Sequence, residues 1–361
     1  MKGSAVSDKR IRSLDGLKAI MMLMIFCWHT PPNPASPIGE PDADLGARAC
    51  EVLFVTAGFL VGYRQYGKLV TASLRQSWDY VAAKIARIWP VHFIAFLIIS
   101  VYLAVSAPHD FFSLSSAWKA VVNLCLLQAW TTDPFTFNSV SWFVSALLFC
   151  YFASPFLMSV LRRSRCVIAS AFAGCAALRI AIELWCGSNS VIPQIYLHTF
   201  PLIRCMEFFM GMLMVPAFYT VKETLESRDP ARVRAGMTAA EILAASAYIF
   251  LMYRMEGIWI RGYFVLAACV LVFICALDSG AIGSLLSAKA FTLFAVIQME
   301  FYLLHQVIIR VLGPAMTVIS QSVFVQSVIL FFITLAASAL YDLLLEEKCT
   351  AAAKRFLKQI R

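Results

Sequence analysis

Apolar residues run through this chain in long blocks separated by short polar clusters. Ten blocks approach the length of a membrane span: 14–30, 48–63, 88–107, 139–161, 166–187, 199–220, 237–253, 261–278, 291–312 and 318–343. The fold class expected is an all-α integral membrane protein of about ten transmembrane helices, because a helix satisfies its own backbone hydrogen bonds in hydrocarbon. A shorter apolar stretch, 118–130, reads as a re-entrant or interfacial helix; counted as a crossing, it would put Arg162, Arg163 and Arg165 outside. Residues 1–345 are read as one transmembrane domain and 346–361 as a cytoplasmic basic amphipathic tail.

Composition supports that reading. Of 361 residues, 61% are hydrophobic and 14% charged, which leaves no polar stretch able to build a separate soluble domain. A net charge of +9 would suggest nucleic acid in a soluble chain, but here 23 of the 30 Lys and Arg fall in segments that are cytoplasmic if the N-terminus is inside. The expected orientation is therefore N-in and C-in, with the proline-rich acidic stretch Pro31 to Asp44 opposite. The 11 cysteines lie mostly in apolar blocks without CxxC spacing, so no metal site is expected. No small-residue cleavage site follows the first block, which is expected to stay in the membrane.

Chemistry is sought among polar side chains at membrane depth, where each is costly unless paired or facing a cavity. Lys18 and His29, eleven positions apart, share one face of the first helix about 16 Å apart along its axis. The run between them is too short to cross the bilayer and Pro31, Pro32 and Pro34 forbid regular helix beyond, so His29 is expected within the membrane, with 30–34 edging a chamber. Glu51 opens the second span and is placed within reach of His29. Lys84 and Arg87, with Trp89, Pro90 and His92, mark the entry to the third span and make a candidate polyphosphate cradle. Arg179 with Glu183 and Arg204 with Glu207 read as pairs on their own helices. Glu300, Tyr302 and His305 sit well inside the ninth span, where His305 must face protein or cavity.

In order, Ser13-Leu-Asp-Gly-Leu-Lys18 with His29, Phe54-Val-Thr-Ala-Gly58-Phe-Leu60, Lys84-Ile-Ala-Arg87-Ile-Trp-Pro90, Ser141-Trp142-Phe143 through Tyr151 and Pro155, Arg204-Cys-Met-Glu207-Phe-Phe-Met-Gly211 and Phe301-Tyr302-Leu-Leu-His305 resemble the acyltransferase family 3 membrane proteins. That family modifies sugars and other surface molecules with acyl-coenzyme A. This chain has Lys18 and Ala57 where the family usually has Arg and Ser, and Leu147, Leu148 and Phe149 in place of an acidic-acidic-Gln stretch. It looks more like the short, stand-alone sugar O-acetyltransferases.

The resemblance implies a membrane-embedded enzyme moving an acyl group, acetyl in the family's commonest case, from cytosolic acyl-CoA to a hydroxyl of a cell-surface or lipid-linked saccharide. It implies a place in the cytoplasmic membrane of a bacterium. Lys18, Lys84 and Arg87 are expected to hold the phosphates, and His29, oriented by Glu51, to act as base or as a covalent acyl carrier. Trp142, Arg204, Glu207, Tyr302 and His305 form the expected substrate-binding set. The rival reading is a multi-pass transporter or flippase, which buried charge pairs and proline-broken spans also describe; the absence of an inverted repeat weakens it.

Overall fold

Every regular element among the described residues is helical in the computed structural model, which describes residues 10–30, 45–67, 73–188, 194–254 and 258–359. The first half runs α1 (Arg12–His29), α2 (Leu45–Gln65), α3 (Leu74–Ser106), the short α4 (Pro108–Phe111), α5 (Leu114–Leu124), α6 (Trp142–Leu157) and α7 (Arg165–Ser188). The second runs α8 (Gln194–Thr199), α9 (Pro201–Leu213), α10 (Val215–Glu226), α11 (Pro230–Arg254), α12 (Ile258–Leu277), α13 (Ala281–Leu286), α14 (Lys289–Phe294), α15 (Gln298–Ile319), α16 (Val323–Tyr341) and α17 (Glu347–Gln359).

Eight helices among the described residues are long and apolar enough to cross a membrane, against the ten expected. The other two expected spans correspond to α1, which carries Arg12, Asp15 and Lys18, and to α12, whose described apolar stretch is Tyr263–Leu277. The third span also differs from its expected bounds. It starts at Leu74, where the Ser73 hydroxyl accepts the Gln76 N–H, and continues for 33 residues with Pro90 inside the helix. At 1.5 Å per residue it is about 50 Å long and overshoots a hydrocarbon layer of about 30 Å. Membrane helices tolerate proline where neighbouring groups can supply the bonds that it removes.

The expected helix near 118–130 is split. α5 ends at Leu124, and a single 3₁₀ turn, Gln128–Trp130, follows. His92 and Trp89, grouped with the basic cradle on sequence grounds, instead bond this segment: His92 Nε2 donates to the Asn123 carbonyl at 2.9 Å and Trp89 Nε1 to that of Leu124 at 2.9 Å.

Aromatic packing sets the position of α1. Phe26, buried, meets Phe301 of α15 at 5.8 Å and Phe331 of α16 at 5.4 Å between ring centroids. At the far end α16 passes through a π-helical turn, Asp342–Glu346, into α17, which lies along α3. The whole acidic stretch expected opposite the basic loops, 31–44, lies outside the described residues, as does the chamber edge predicted beyond Thr30.

Candidate functional site

The site begins with two glycines. A Cβ on Gly58 of α2 would stand 1.7 Å from the Phe208 carbonyl oxygen, and one on Gly211 of α9 would stand 2.1 Å from that of Val55. The two helices therefore touch backbone to backbone, as small residues allow where lipid gives helices no hydrophobic reason to associate. Their close approach sets Glu51 of α2 beside Arg204 and Glu207 of α9, while α7, packed on α9, adds Arg179 and Glu183.

What the sequence reads as two independent helical pairs is one network. Arg179 donates from Nε to Glu207 Oε1 at 3.4 Å, pairs with Glu183, and lies 3.9 Å from Glu51. Arg204 Nη1 bonds both Glu207 oxygens, at 2.8 and 2.7 Å, and its Nε donates to the His198 carbonyl at 2.6 Å. Arg48 reaches Glu51 at 2.7 Å. All six charged residues are at most 3% exposed, and three guanidinium groups against three carboxylates leave the cluster formally neutral. Buried charge survives on such terms, since the cost of dehydrating each ion is offset only by a close, hydrogen-bonded partner. Glu51, expected against His29, is instead joined to Arg48 and Arg179.

The residue against His29 is His305. α1 ends at His29, with Thr30 extended ahead of Pro31 and its hydroxyl bonded to the Cys27 carbonyl at 2.8 Å. His29 Nδ1 lies 2.8 Å from the Ile25 carbonyl and 3.1 Å from Nε2 of His305, whose own Nδ1 lies 2.6 Å from the Tyr302 carbonyl. Carbonyls only accept, so in the neutral pair both Nδ1 atoms carry hydrogen, and His305 Nε2 accepts a second bond from His29 Nδ1–H. Nε2 of His29 keeps its lone pair. The chain thus holds an imidazole in one tautomer and orientation, as a base requires.

A loop before α6 closes this side. Leu126 and Phe137 hold left-handed backbone, φ 55° each, a conformation costing bulky residues about 1–3 kcal/mol and usually kept where surrounding bonds enforce it. Around Phe137 those bonds join the loop to α15. Arg310 donates to the Phe137 carbonyl at 3.0 Å, Asn138 to that of Leu303 at 2.8 Å, and the Tyr302 hydroxyl to that of Val140 at 2.8 Å. Between this loop, α1, α2 and α7 lies a cavity of 510 Å³ whose wall includes His29, Glu51, Trp142, His198, Arg204 and Tyr302. Trp142 packs on the His198 ring at 4.5 Å and lies under the Arg204 guanidinium at 5.7 Å. Of the expected substrate-binding residues, Trp142, Arg204 and Tyr302 line this cavity, Glu207 stands behind Arg204, and His305 stands behind His29.

A second cavity, 740 Å³, gathers the expected cradle. Lys18, Lys84 and Arg87 line it together with Arg10 and Arg64, two cations that the sequence shows only as members of basic runs. Asp15 is the single acid on its wall and lies 3.1 Å from Lys18. Lys84 stands over the rings of Tyr151 and Tyr80, at 5.0 and 5.5 Å, and Arg87 lies 3.4 Å from Glu346. Counting Glu346 beside Arg87 and Asp15 beside Lys18 and Arg10, five cations face two carboxylates and leave this cavity with an excess of positive charge. Within the motif that carries Lys18, the Ser13 hydroxyl donates to the Cys275 carbonyl at 2.6 Å, anchoring the start of α1 to the end of α12.

Comparison with known proteins agrees with the residues. The chain is 25% identical over 333 residues to acyltransferase MdmB of Streptomyces mycarofaciens, a match covering 83% of this chain and 79% of that one. No solved structure matches. The model of the acyltransferase domain family matches residues 11–343, nearly the whole chain and every residue of the two cavity walls except Arg10. This protein belongs to acyltransferase family 3 and is a membrane acyltransferase.

Proposed function

We propose that the protein moves an acyl group, acetyl in the simplest case, from cytosolic acyl-CoA to a hydroxyl of a cell-surface or lipid-linked saccharide, across the cytoplasmic membrane of a bacterium. The observation that carries this reading is that α1 lends Lys18 to one cavity and His29 to the other, about 16 Å apart along the helix. A donor with phosphates at one end and a thioester at the other spans such a distance. In this reading α1 and α12 complete ten crossings, with both ends of the chain inside.

The five cations around the larger cavity fit a polyphosphate, because several charge-assisted bonds are needed to replace its hydration. Lys18 offers a point charge where the family usually has a guanidinium fork, so geometric selectivity falls to Arg87 and Arg64. At the other end His29 Nε2 takes the proton of the acceptor hydroxyl as its oxygen attacks the thioester carbonyl. The C–S bond breaks, and the imidazolium returns the proton to the departing thiolate. His305 acts as a positioning residue, and the Trp142 ring offers an apolar face against which a saccharide ring can pack. The charge network forms part of the wall of the His29 cavity, where Glu51 and Arg204 face the acceptor side.

Purified protein in detergent tests the proposal. It should bind coenzyme A by calorimetry and transfer or hydrolyse the acetyl group of acetyl-CoA, and the His29→Ala variant should keep binding while losing turnover. Absence of coenzyme A binding in the wild-type protein would sink the donor assignment.

A further inference from the structure

Tyr302 is the one residue that lines both cavities among the described residues. It is 2% exposed, and its ring lies between Phe143, on the wall of the cationic cavity at 5.2 Å between centroids, and Val140, on the wall of the His29 cavity, whose carbonyl takes its hydroxyl hydrogen at 2.8 Å. The two compartments adjoin at this ring, which packs on Phe143 and His305 and is held by the one side-chain hydrogen bond to Val140.

Resting on the function proposed above, we propose that the Tyr302 ring is the partition between donor and acceptor compartments, and that its displacement admits the thioester to His29. A donor whose phosphates sit among Lys18, Lys84 and Arg87 has to send its thioester past this ring. Backbone movement is opposed, because the Tyr302 carbonyl also accepts from His305 and so fixes the imidazole pair. The ring is the moving part.

The partition has a chemical reason. A thioester left beside a base in a wet cavity is hydrolysed: water adds to the carbonyl, the C–S bond breaks, and acetate and the coenzyme A thiol leave. A barrier that opens only transiently keeps the acyl group out of that cavity for most of the time and suppresses this waste.

The experiment follows release of the coenzyme A thiol from acetyl-CoA by purified protein without any acceptor, with coenzyme A binding measured on the same samples. Tyr302→Phe keeps the ring and removes the tether, and should speed thiol release about threefold or more, as the loss of one hydrogen bond allows. Tyr302→Ala should merge the cavities and raise it about tenfold or more, and adding His29→Ala to either variant should return release to background. The Phe variant decides the matter if the Ala variant does not fold. Variants that bind coenzyme A as the wild type does yet release thiol at the wild-type rate would overturn the partition. A wild-type protein that binds no coenzyme A would instead overturn the donor site on which it rests.

Discussion

His305 Nε2 lies 3.1 Å from His29 Nδ1, although 276 positions separate the two residues in the chain. The bond depends on His305 Nε2 keeping its lone pair, that is on His305 being neutral, and on α15 presenting that imidazole to the end of α1. It accounts for a histidine at depth that substrate binding leaves without a reason, since His305 is fully buried behind His29.

Replacing His305 with Phe should therefore lower kcat, by about 10- to 100-fold if it follows the cost of removing partners that orient metal-bound imidazoles, with little change in KM for the thioester. His29→Ala should cost more, about 10²- to 10⁴-fold. Steady-state kinetics on the two variants separates these effects, and equal losses in both would mean that His305 does more than position.

The charge network makes a prediction about stability. Arg179→Gln leaves Glu51, Glu183 and Glu207 facing one another with a cation removed, and should destabilise the fold by about 3–5 kcal/mol. Glu207→Gln should act in the same direction by leaving Arg204 short of its charged partner. Thermal unfolding in detergent measures both, and unchanged melting would show that the cluster is hydrated in the membrane.

Helix contact gives a sharper contrast. Gly58→Ala and Gly211→Ala each drive a methyl group into a neighbouring backbone carbonyl, so α2 and α9 must separate and activity should fall with stability. At Gly174, within α7, a Cβ would meet nothing within 4 Å. Gly174→Ala should be neutral or stabilise by up to about 1 kcal/mol through helix propensity. Melting temperatures of the three variants test this ordering.

In the cationic cavity, Arg87→Gln, Arg64→Gln and Lys18→Gln should each weaken coenzyme A binding by about 1.5–3 kcal/mol, and added salt should weaken it in the wild type. Lys18→Arg should be tolerated, because Asp15 can hold a guanidinium as it holds the ammonium. Calorimetric titration with coenzyme A checks all four, and four equal affinities would remove the phosphate site.

The sequence by itself determined the helical class, eight of the spans, and the residues with chemical potential, because bilayer insertion is a local property: a block of apolar residues is legible without knowing its neighbours. The shared face of Lys18 and His29 was equally legible, since helical geometry fixes separation along one element. Side-chain partners across helices were not. Glu51 looked close to His29 because consecutive helices are often adjacent, yet the glycine contact between α2 and α9 draws it to Arg48 and Arg179, and α15 takes its place beside the imidazole. Arg10 and Arg64 were hidden among topogenic charges, and only the packing of α1, α2 and α3 turns them toward Lys18, Lys84 and Arg87. Tyr302 stood out as polar at depth, but its place between two cavities is a fact of tertiary structure, because a cavity belongs to the space between helices and no single helix encodes it.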